Sequence, residues 1–77
     1  MKGRNITENK TRILTPRQFT VLTFLAAGLR NKEIAYRMGL TVSTVKQHIS
    51  GIMLRLNVNT RTAVVLKAQK LGLIDPE

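Results

Sequence analysis

The chain predicts an all-α fold: a compact four-helix domain that contains a helix-turn-helix. Three observations carry that reading. Apolar residues recur at helical spacing in four successive windows: Val21, Leu22 and Leu25; Ile34, Ala35 and Met38; Val45, Ile49, Ile52 and Leu56; and Val64, Val65, Ala68 and Leu71. That recurrence is the amphipathic signature of a 3.6-residue period. Each window follows a side chain able to cap the free N–H groups of a first turn, namely Thr15, Asn31, Thr41 and Thr60. Gly28, Gly39 and Gly72 follow three of the windows, and glycine most readily adopts the left-handed conformation that ends a helix. A chain of 77 residues leaves room for one small domain with an economical core.

The elements follow in order. Residues 1–12 carry Lys2, Arg4, Lys10 and Arg12 against Glu8, with Ile6 the one apolar residue besides Met1. With no apolar period, they read as a disordered basic arm or linker. The tail of an interdomain linker is the first reading, and an arm touching DNA the second. The domain proper spans 13–74. Thr15 caps the first helix, Pro16 takes its first position and Gln18 completes a capping box. Phe24 sits at the edge of the inward stripe. Phe19 lies off it, as an ordinary part-exposed aromatic or, in a second reading, as a contact to another domain or to RNA polymerase. Gly28 ends the helix, and Leu29 supplies the apolar contact of a Schellman motif.

The second helix is short. Asn31 caps it, and Glu33 in its first turn suits the helix dipole. Ala35 is small where this helix meets the next. Gly39 then turns the chain, and Leu40 leads to a long helix over 41–56, capped by Thr41. A short helix, a glycine turn and a second amphipathic helix make a helix-turn-helix. On the long helix Val42 lies at the edge of the inward stripe. The opposite face holds Ser43, Gln47, Ser50 and Leu54, with Lys46 beside it and Thr44, His48 and Arg55 along one flank. No carboxylate occurs there. Short hydroxyls, an amide and cations are the groups that meet base edges and phosphates. Gly51 inside this helix is unfavourable by about 1 kcal/mol against Ala. A slight bend and a close approach of backbone to phosphate both remain open as its reason. Asn57, Val58 and Asn59 form a turn. Thr60 caps a fourth helix over 61–71, which turns Thr62, Leu66 and Gln69 away from its inward stripe. Residues 75–77 are a polar tail.

A net charge of +9 suits a polyanionic partner. Arg17, Arg30, Lys32, Arg37, Lys46, Arg55, Arg61, Lys67 and Lys70 fall inside the fold, with Glu33 alone against them. The remaining acids are Glu8, Asp75 and Glu77, so no carboxylate pair is placed for acid–base work. His48 is the single histidine and cysteine is absent, which leaves no metal set, catalytic triad or disulfide. An enzyme is therefore not expected, and neither is a cofactor. The apolar runs are far short of the ~20 residues of a membrane span, and the first residues lack the apolar core of a secretory signal. A cytoplasmic compartment fits.

Leu14-Thr15-Pro16-Arg17, Gly28-Leu29-Arg30-Asn31-Lys32-Glu33-Ile34-Ala35, Thr44-Val45-Lys46-Gln47-His48 and Leu56-Asn57-Val58 with Arg61 together resemble the DNA-binding domain of the LuxR/FixJ/GerE transcription regulators. The resemblance runs from about Ile13 to Ile74. It implies a LuxR-type fold, unrelated to the winged helix, and a bacterial regulator that associates with the nucleoid when bound to DNA. Such domains usually close a longer protein, behind a phosphorylated receiver or a ligand-binding domain, although a few stand alone. The family often has Glu where this chain has Gln18.

The expected function is sequence-specific binding of double-stranded DNA in transcription regulation, with the 41–56 helix in the major groove. Ser43, Lys46, Gln47 and Ser50 are the expected base contacts, Lys46 toward guanine and Gln47 toward adenine. For Lys46 a phosphate contact stays open. Asn31, Lys32, Thr41, Thr44 and His48 are the expected phosphate contacts. Thr62, Leu66 and Gln69 are the expected surface of a homodimer on DNA, and the resemblance implies pairing through the same helix. Two other classes compete: a nucleic-acid binder without sequence preference, and a protein-interaction module using Phe19 and Leu66.

Overall fold

The computed structural model describes residues 13–76. The basic arm expected over residues 1–12 lies outside them, as does Glu77. Four helices follow one another, and no strand occurs among the described residues: α1 (Pro16–Ala26), α2 (Asn31–Met38), α3 (Val42–Leu56) and α4 (Arg61–Lys70). The all-α reading with its helix-turn-helix holds.

The N-termini form largely as their residues dictate. The Gln18 N–H donates to Thr15 Oγ1 at 3.0 Å, and the Thr15 N–H donates to Gln18 Oε1 at 3.0 Å, which closes the capping box. Thr41 and Thr60 accept from the N–H groups of Thr44 and Ala63, each at 3.1 Å. α2 differs from expectation. Its N-cap is Arg30, and Asn31 is its first helical residue. The Arg30 N–H donates to Glu33 Oε1 at 2.7 Å. A guanidinium has no acceptor to return to the helix, so the side-chain cap expected of Asn31 is not made, and Glu33 instead takes the Arg30 N–H.

The C-termini share one device. Gly28, Gly39, Asn57 and Gly72 all have positive φ. After each of them the next N–H reaches back five residues: Leu29 to Phe24, Leu40 to Ala35, Val58 to Met53 and Leu73 to Ala68, at 2.9–3.1 Å. These are Schellman motifs. The last one corrects the expected end of the fourth helix. The helix stops at Lys70, and Leu71 is exposed rather than part of the inward stripe. Leu73, swung back by the turn, fills the core instead.

α3 packs against α1, α2 and α4, and α1 also packs against α4. The core takes Val21, Leu22 and Leu25 from α1, Ile34 and Ala35 from α2, Val45, Ile49, Ile52 and Leu56 from α3, and Val64 and Ala68 from α4. Leu14 and Leu73 close it at either end. Each fully buried aliphatic side chain contributes about 1.5–3 kcal/mol. Phe19 and Phe24 are half-buried against this cluster. Gly51 has a packing partner that its sequence context did not show. A Cβ there would fall 2.7 Å from Gln18 Nε2, and Gln18 is held by the α1 cap.

Two arginines tie distant parts of the chain together. Arg55 Nε donates to the Ile13 carbonyl at 2.9 Å, fixing the approach to α1 against α3. Arg61, at the start of α4, donates Nη1 to Asn31 Oδ1 at 2.9 Å and Nη2 to the Leu29 carbonyl. It thereby braces the loop that leads into α2. Hydrogen bonds to a charged group contribute about 1.5–3 kcal/mol. Arg61→Ala is therefore expected to lower unfolding stability by about that amount in urea melts. Arg61→Lys, lacking the planar fork, is expected to recover little of it. Equal stability of all three proteins would show that the brace carries no weight.

Candidate nucleic-acid interface

The long helix exposes the face expected of it. Val45, Ile49, Ile52 and Leu56 are buried, and Ser43, Lys46, Gln47, Ser50 and Leu54 are exposed. At about 100° per residue, Ser43, Gln47, Ser50 and Leu54 lie within about 60° of one another, directly opposite the core. A helix with its side chains is about 10–12 Å across, close to the width of the B-DNA major groove. Thr44 and His48 are half-buried on one flank, between the outward and inward faces.

Two helix N-termini belong to the same helix-turn-helix. First-turn N–H groups lack partners within their helix and suit an anion. At α3 the Thr41 hydroxyl accepts from the Thr44 N–H and donates to Thr44 Oγ1 at 3.0 Å. Thr41 is thus spent on the cap, and the Thr44 hydroxyl keeps its own proton to donate outward. At α2 Asn31 is half-buried, with Oδ1 taken by Arg61. That bond leaves the Asn31 amide N–H groups as the donors it can offer. Lys32 beside it is exposed. Among the described residues only Glu33 and Asp75 are acidic, and Glu33 is occupied by the Arg30 N–H.

The three residues expected to pair copies of the chain sit apart from this face, on α4. Thr62 and Leu66 are exposed and Gln69 is half-buried. They line a shallow groove of about 440 Å³ with Leu25, Arg61 and Val65. A second depression, of about 230 Å³, runs along Val58, Ala63, Leu66, Lys67 and Lys70. Leu66, 60% exposed, lines both.

Three residues were given no site role by the reading of the sequence. Arg61 orients Asn31 from 30 positions away, a separation that no local pattern reveals. Tyr36 is 88% exposed and lines a depression with Lys32, Glu33 and Arg37. Its place opposite the apolar stripe of α2 was the available signal. Leu54 was placed on the outward face but given no role. Among the described residues no group of three His, Cys, Asp or Glu side chains is arranged to hold a metal ion. No described helix is long and apolar enough to cross a membrane.

Comparison with known proteins agrees with this geometry. The family model described as bacterial regulatory proteins, luxR family, matches residues 12–68. The chain is 39% identical over 74 residues to the transcriptional regulatory protein LnrK of Bacillus subtilis, covering 94% of this chain and 34% of that protein. It is 38% identical over 71 residues to the oxygen regulatory protein NreC of Staphylococcus carnosus, covering 92% and 33% respectively. With the response regulator protein VraR of Staphylococcus aureus it shares 40% identity over 62 residues, 80% of this chain and 30% of that one. The chain spans about a third of the length of these relatives. The family consists of regulators rather than enzymes. With its four helices, its caps and a model match across both helices of the helix-turn-helix, the chain belongs to the luxR family of bacterial regulatory proteins.

Proposed function

We propose that this chain binds double-stranded DNA sequence-specifically, as the effector unit of a bacterial transcription regulator, with α3 lying in the major groove. The observation that carries the reading is the acid-free exposed face of α3, the second helix of the helix-turn-helix. Lys46 and Gln47 read base edges, Lys46 donating to guanine O6/N7 and Gln47 bonding adenine N6/N7. Ser43 and Ser50 bond bases directly or through water. Asn31, Lys32, Thr44 and His48 hold phosphates, and Thr41 presents the α3 N-terminus to one. The relatives' names, as transcriptional and response regulators, favour a DNA-binding part controlled by another domain.

Selection from a random-duplex pool tests the division of labour. Gln47→Ala is expected to relax preference at one base pair, losing about 1–3 kcal/mol of discrimination while leaving the salt dependence unchanged. Lys32→Ala is expected to weaken all sequences alike and to reduce the slope of log K against log salt by about 0.9. Uniform losses in both variants would contradict the assignment, and failure to enrich any sequence would favour binding without sequence preference.

Two copies are proposed to meet through α4 on paired half-sites. Leu66 stands between two depressions, a shape that suits the self-complementary contact of a two-fold axis. Lys67 and Lys70 beside it repel a second copy until DNA supplies counter-charge. Self-association should be weak in isolation, and binding cooperative on half-sites about one helical turn apart. Leu66→Glu is expected to remove cooperativity in titrations of paired sites while leaving single-site affinity and helicity intact. Unchanged cooperativity in that variant would place the interface elsewhere.

A further inference from the structure

We infer that Leu54 is a specificity-determining residue that contacts the C5-methyl group of a thymine, two to three base pairs from the base read by Gln47. The inference rests on the DNA-binding reading of α3 and extends it. Leu54 is 80% exposed and stands at the centre of the outward face, between the directions taken by Gln47 and Ser50. It follows Ser50 by one turn, about 6 Å along the axis, and Gln47 by two turns, about 10.5 Å. At about 3.4 Å per base pair the rise from Gln47 spans about three base pairs of the same groove, and closer to two where the helix lies oblique to the DNA axis.

The chemistry selects the ligand. Ser43, Lys46, Gln47 and Ser50 all offer hydrogen bonds, whereas Leu54 offers only apolar surface. The major groove presents one apolar group, the thymine methyl. A protein partner would call for a broader apolar patch. Around Leu54 the helix places Ser50, Gly51 and Asn57; its chain neighbours are Arg55 and Met53, the latter half-buried against the core. As the one large apolar side chain exposed at the centre of this face, Leu54 matches a single methyl in size. Being exposed, it is also replaceable without disturbing the core.

Replacing thymine by uracil removes that methyl and leaves every hydrogen-bonding group in place. The test begins with the duplex selected by the intact chain, in which the Gln47 position is located by the Gln47→Ala selection. Each thymine is then replaced singly by uracil. At one thymine two to three base pairs away, wild-type affinity is expected to fall about fourfold, the effect of one buried methyl group. Leu54→Ala should bind the thymine duplex about as weakly as the wild type binds the uracil duplex, and should not distinguish the two. A selected site with no thymine in that window overturns the inference. So does a uracil effect that persists in Leu54→Ala, or equal tolerance of every uracil by the wild type. In each of these outcomes DNA binding itself survives. A pool that yields no enriched sequence would instead overturn the reading of α3 on which the inference stands.

Discussion

A single left-handed residue between α2 and α3 sets the direction in which the long helix leaves the body of the domain. Gly39 takes φ of 68°, and the Leu40 N–H returns to the Ala35 carbonyl at 2.9 Å. A side chain at that φ would crowd the carbonyl that follows it, so the turn favours glycine. The same closure repeats at the other three helix ends, with Asn57 in place of glycine after α3. In each case the residue after the left-handed one is apolar: Leu29, Leu40, Val58 or Leu73. The hydrogen bond stops the helix, and the apolar side chain pulls the outgoing chain back over the core. A domain this small keeps its helix directions by tying every connection to the apolar cluster.

The interface follows from that rigidity. With the inward stripe of α3 fixed by Val45, Ile49, Ile52 and Leu56, rotation of the helix about its axis is no longer free. Ser43, Gln47 and Ser50 must then face outward together. Arg61 extends the constraint to α2 by holding Asn31 and the Leu29 carbonyl, so one N-terminus is placed relative to the other helices rather than left to a loop. A net charge of +9 opposes compactness through self-repulsion. The described core contains no buried polar or charged residue to add to that burden. Binding a polyanion would relieve the repulsion, which couples folding stability to occupancy of the interface.

Much of this was legible in the residues because it is local. The capping box of Thr15 and Gln18, the glycine stops and the split of α3 into an apolar and a polar face depend on neighbours within a few positions. Three features were not. At the start of α2 it is Glu33 that reaches back to the Arg30 N–H, since the chain enters that helix one residue earlier than Asn31 suggested. Leu71 continues the helical period of α4, but the Gly72 turn carries Leu73 into the core in its place. Gly51 looked like a local weakness of α3 and proves to be where the Gln18 amide from α1 rests. Each depends on a partner, or on a change of chain direction, that periodicity does not encode. The same holds for the bond from Arg61 to Asn31, whereas Tyr36 needed only attention to an aromatic residue on a polar helix face.

The proposed function stands on the outward face of α3 being what meets DNA. Cross-saturation NMR tests it most directly: protons of a bound duplex are irradiated, and the loss of intensity is read at each amide of the deuterated chain. The largest losses are expected at Ser43, Lys46, Gln47 and Ser50, with smaller ones at the α2 N-terminus around Asn31 and Lys32, and little along α1. Losses concentrated on α1 or α4, with the α3 amides unaffected, would contradict it.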